Sequence, residues 1–118
     1  MALPHAQPLD IIDVRPPSAG LPAAVTTSLL KTRALQLMRL VLPAGQSLPE
    51  HGVPGAITVQ CLEGETVVTT PSRTCNLSQG QFVVLEGSEP HALKATAHST
   101  LLVTLLLDTN DAKTIAFF

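Results

Sequence analysis

The chain has 118 residues, 45 % of them hydrophobic, with no Trp or Tyr and three Phe; seven basic and nine acidic side chains give a formal charge of −2. That length suits one domain with one core, which must be built from Leu, Val, Ile and Ala. The charge balance excludes the basic stripe that nucleic acid or an anionic membrane requires, and no run reaches the roughly 20 apolar residues of a membrane-spanning helix.

Residues 1–24 carry five prolines around the apolar run LDIIDV, which predicts an irregular arm with one short strand. The opening MALPHAQPLD has neither the basic start nor the apolar stretch of a signal peptide. The expected location is therefore cytoplasmic, with Cys61 and Cys75 as free thiols. From Val25 onward, short apolar runs alternate with turn signals: VTTSLL, RALQLMRLVL, AITVQCLE, ETVVTT, TCNL, QFVVLE, HALKAT and STLLVTLLLD. Eight runs rich in Val, Thr and Leu predict an all-β sandwich or barrel over residues 25–107. ALQLMRL scans as a helix, but β-branched neighbours and the abrupt stop at Pro43 and Gly45 favour a strand. The tail, 108–118, ends in two Phe that either dock on the core or serve a partner.

The glycine and histidine spacings carry more information. The chain resembles the cupin family, whose first motif runs Gly, five residues, His-x-His, three or four residues, Glu, six residues, Gly; here Gly45, QSLPE, His51 and Gly64 stand at those places. The second motif of that family opens on Gly and closes on a His-containing segment, and Gly80 and His91 keep that interval, with fifteen residues between Gly64 and Gly80. The resemblance spans about residues 25–107. It implies a small, RmlC-like, single-domain cupin: a double-stranded β-helix, or jelly-roll barrel.

In cupins that hold a metal, two histidines and a glutamate of the first motif and one histidine of the second are the ligands. Carried over by position, these are His51, Val53, Ile57 and His91, so two of the four are apolar. Along the strand, Ile57, Val59 and Cys61 share one face. The resemblance turns that face inward and predicts an apolar interior with two imidazoles at its rim. His51 and His91 then form an incomplete metal set for Fe, Mn, Ni or Zn. No third ligand is convincing among Glu50, Glu63, Glu86, Glu89, Cys61, His98 and His5. Glu63 and Cys61 have the right parity but stand too far along the strand, roughly 20 and 13 Å from position 57.

Three functions follow. One is a binding module for a small molecule, lined by His51, His91, Ile57, Val59 and Cys61. Another is a metal-dependent oxygenase or isomerase with an unidentified third ligand. The last is a non-catalytic structural homodimer. The first is the expectation, in a protein that pairs as a homodimer and takes no nucleic acid or membrane as partner.

Overall fold

A computed structural model of the chain describes residues 5–16 and 26–107. The tail over 108–118 and part of the arm lie outside the described residues. Among the described residues nine strands form two antiparallel sheets: β1 Thr27–Lys31, β2 Leu35–Leu42, β3 Ser47–His51, β4 Ile57–Glu63, β5 Glu65–Thr69, β6 Thr74–Ser78, β7 Phe82–Leu85, β8 His91–Ala95 and β9 Ser99–Leu106. The larger sheet has the order β1-β2-β9-β4-β7 and the smaller β3-β8-β5-β6. This is the expected all-β jelly roll, and ALQLMRL is a strand. No helix among the described residues is long and apolar enough to cross a membrane.

Alternation along each strand builds the core. Leu42, Ile57, Val59, Cys61, Leu101 and Val103 of the larger sheet face Val68, Leu77, Leu93 and Ala95 of the smaller, all buried. Among the described residues no aromatic side chain joins them, and close packing there rests on branched aliphatics.

Two features of the chain differ from expectation. Ser47–His51 is a strand, although it contains Pro49 and little apolar periodicity. It lies at the edge of the smaller sheet, where a missing N–H breaks no central ladder. The run LDIIDV, by contrast, forms no strand; the arm makes one isolated parallel bridge, Ala6 to Leu30. Leu9 and Ile11 are fully exposed, at 102 % and 99 %, so nothing in the described fold rewards pairing there.

The tightest corner joins β4 to β5 through Gly64 alone. Its φ of +90° lies in the left-handed region, and a Cβ there would stand 2.1 Å from the carbonyl oxygen of His98. Buried Ser99 fastens the same corner. Its hydroxyl accepts from the Glu65 N–H at 3.1 Å and shares its proton between the Glu65 and Ala97 carbonyls at 2.9 and 2.8 Å.

Candidate functional site

Between the two sheets, toward the end where β4 and β8 begin, lies a cavity of about 160 Å³. The larger sheet contributes Met38 and Leu40 from β2, Ile57 and Val59 from β4, and Val103 and Leu105 from β9. The smaller contributes Leu48, His91 and Leu93. Eight of the nine lining side chains are thus apolar, and His91 is the one polar group.

His91 is buried, at 4 % exposure. Its Nδ1 lies 3.1 Å from the carbonyl of Glu89. A carbonyl only accepts, so Nδ1 carries the proton, and in the neutral ring the lone pair sits on Nε2. That backbone contact fixes the ring's orientation at the first residue of β8. His51 is the Cα partner of His91 across the β3–β8 ladder, just beyond a register shift that follows Leu48. The two backbones are therefore adjacent, while the side chain of His51 lies outside what is described.

The loops entering β4 and β8 meet backbone to backbone at this end. Ser88 N–H donates to the Val53 carbonyl at 2.7 Å. A Cβ on Gly87 would stand 2.4 Å from the carbonyl oxygen of Pro54, so only glycine allows that approach. Ser88 itself takes a φ of 65°, unusual for a residue with a side chain, which marks the turn as held by its surroundings.

Two of the four positions that hold ligands in metal-binding cupins carry side chains here that cannot ligate. Ile57 is 3 % exposed, lines the cavity and lies opposite Leu105 in the β4–β9 ladder. Val53 is half-buried and packs on the hydrophobic core. No group of three His, Cys, Asp or Glu side chains able to hold a metal occurs among the described residues. Glu50 and Glu86 are exposed, Glu63 and Glu89 half-buried, and none of them lines the cavity. His98 is exposed, and exposed His5 is bonded through Nε2 to Ser28 Oγ at 2.8 Å.

Of the residues assigned to a ligand site from sequence, the structure brings Ile57, Val59 and His91 together around one cavity. Cys61 shares their strand face but sits farther along, among the buried core residues. Its thiol is 3.4 Å from the carbonyls of Glu63 and Gly64. Burial pushes this thiol's pKa up, against a smaller lowering by the Glu63 carbonyl; nearby Glu65 and Glu63 add to the rise. With Cys61 fully buried and Cys75 half-buried, an excess of a thiol reagent at pH 8 is expected to label Cys75 at least about tenfold faster. Mass mapping of the modified cysteine checks this, and comparable rates would contradict the placement of Cys61.

Met38, Leu40, Leu48, Leu93, Val103 and Leu105 were not singled out from sequence, although the parity of β2 and β9 contains Met38, Leu40, Val103 and Leu105 once those strands are aligned with β4, and the parity of β8 sets Leu93 beside His91.

No family model and no curated protein matches the chain. Solved structures do. A conserved protein of unknown function from Streptococcus pyogenes superposes with a TM-score of 0.71 at 20 % identity, covering 92 % of this chain and 96 % of that one. A cupin superfamily protein from Desulfitobacterium hafniense gives 0.69 at 21 % identity, over 92 % and 97 %. The DMSP lyase DddQ from Ruegeria pomeroyi gives 0.61 at 24 % identity, over 69 % of this chain and 42 % of that one. At these identities a likeness speaks for architecture and leaves chemistry open. Taken with the paired glycine–histidine frame and the two facing sheets, these matches show that this chain has the cupin fold.

Proposed function

We propose that the protein is a binding module that takes a small, mainly apolar molecule into the barrel cavity, oriented by His91 and by His51 at the rim, without using a metal. The observation that carries this reading is the lining: eight apolar side chains and a single buried histidine around about 160 Å³. Apolar walls with few convergent polar groups are the usual form of a ligand site. Its size is near the roughly 150 Å³ of an apolar cavity that takes up benzene, which limits the ligand to a compact ring or short branched chain with one polar group.

Methyl NMR on the full chain tests this with toluene and p-cresol as probes. Saturable shifts are expected at Ile57, Val59, Leu93 and Val103. His91→Ala should weaken p-cresol by about three- to tenfold, the worth of one hydrogen bond, and leave toluene nearly unchanged. No saturable shift with either probe up to millimolar concentration would sink the reading.

A further inference from the structure

The two sheets end on β1, β7, β3 and β6, and these edges are blunted unequally. β1 carries a register shift between Ser28 and Leu30 and the bridge from Ala6. β3 carries Pro49 and a register shift after Leu48. β6 shows polar Thr74, Asn76 and Ser78 on its exposed face. β7 has no charge, no proline and no shift along its ladder to β4. Bulges, prolines and charges guard the edges of natural sheets, because an edge is a row of backbone donors and acceptors open to another strand. β7 lacks that guard.

The register fixes which backbone groups of β7 point outward. At one end of the β4–β7 ladder, Cys61 N–H donates to the Gln81 carbonyl at 2.8 Å. On the other side of β4, Leu106 N–H donates to the Ala56 carbonyl at 3.0 Å. Antiparallel bonding alternates residue by residue, and both bonds give the same phase: Ile57, Val59 and Cys61 bond toward β7, Thr58 and Gln60 toward β9. Within β7 the bonded partners are Leu85 and Val83, which leaves the N–H and C=O groups of Phe82 and Val84 directed away from the sheet. Among the described residues no strand pairs with that side. The side chains of Phe82 and Val84 are themselves 62 % and 56 % exposed.

Between β7 and β6 the same side of the sandwich opens on a groove of about 500 Å³, lined by Leu77 and Val83 and by Arg73, Cys75 and Gln81. Among the described residues no carboxylate lines it, and Arg73 forms no ion pair. We propose that the β7 edge takes up an extended segment of another protein as an added strand, and that a carboxylate of that segment pairs with Arg73. Phe82 and Val84 would supply two donors and two acceptors for the main chain of the added strand. Its side chains alternate: one set covers Phe82 and Val84, and the other enters the groove over Leu77 and Val83. A guanidinium in an otherwise uncharged groove selects an acidic side chain over a basic one. A second copy of β7, reading FVVL, has no carboxylate to offer, so the charge favours a different chain.

Amide hydrogen exchange and NMR titration of the full chain test this with the acetylated, amidated peptide VTVEVTV and its glutamine counterpart VTVQVTV. Saturable shifts along β7 are expected below millimolar peptide, with exchange at the Phe82 and Val84 amides slowed at least about tenfold. VTVEVTV should bind about two- to fivefold more tightly than VTVQVTV, the worth of an exposed ion pair, and Arg73→Gln should erase that preference. Val84→Pro removes an outward donor that the β4 ladder does not use, and should weaken both peptides at least about tenfold. VTVEVTV methylated along its backbone nitrogens keeps every side chain, leaves the protein unaltered and should not bind. No saturable shift with either peptide up to millimolar concentration would overturn the proposal. So would binding by the methylated peptide, protection at β1, β3 or β6 in place of β7, or a preference for VTVEVTV that survives Arg73→Gln. Phe82 and Val84 amides already protected in the free chain would overturn it too, with residues 108–118 or a second copy as the cover.

Discussion

Gly64→Ala is expected to cost the fold at least about 3 kcal/mol, enough to leave a domain of this size largely unfolded or insoluble. Two independent costs coincide there. The backbone has a φ of +90°, which a side chain adopts only with strain. The added Cβ would also lie 2.1 Å from the His98 oxygen and 2.8 Å from Ser99 Cα, and these are backbone atoms that no rotamer change moves aside. Relief would require β9 to shift, and the Ser99 hydroxyl bonds to Glu65 would go with it. Gly45→Ala is the control: its φ of +86° carries the conformational cost, but a Cβ there meets nothing within 4 Å. That variant should lose only about 1 kcal/mol. Urea unfolding of both variants measures the difference, and equal losses would contradict the close approach at the β4–β5 corner.

Ile57→Glu is the second large effect. It restores the residue type that metal-binding cupins use at this position, yet in this barrel the carboxylate would face Leu105 and the other apolar side chains of the cavity. An unpaired buried carboxylate should cost about 3–5 kcal/mol at pH 7. Desolvation raises the folded-state pKa above the unfolded value of about 4.3. Between those two values the folded state holds more protons than the unfolded one. Stability of the variant relative to wild type must therefore fall as pH rises through that window and recover below pH 4. Melting curves from pH 4 to pH 7 follow this directly. A loss independent of pH would mean that position 57 reaches water and does not face the mainly apolar cavity described.

Eight of the nine strands were legible because the chain places one apolar run between each pair of turn signals. β3 was not, since Pro49 and Glu50 remove the alternation that marks a strand, and only its pairing with β8 reveals it. LDIIDV misled for the opposite reason: apolar residues in a row show that a strand is affordable, whereas burial depends on a neighbour that Leu9 and Ile11 lack among the described residues. At the site, parity along β4 was enough to group Ile57 with Val59. It was not enough to separate Cys61, because distance along the strand decides which inward residue meets the cavity and which meets the core. The contributions of β2 and β9 depend on cross-strand register, which two strands separated by 56 residues do not display in one dimension.

β9 has a consequence for how the chain is made. It is the last of the described strands, yet it occupies the centre of the larger sheet, between β2 and β4, and every residue of β2 is paired to it. On a ribosome, β2 and β4 therefore emerge long before the strand that joins them and must wait with open hydrogen-bonding edges until residue 106 is free. Folding cannot proceed from the N-terminus in steps. It closes late, through contacts distant in sequence, and slow closure of this kind favours aggregation over partial structure whenever synthesis stalls.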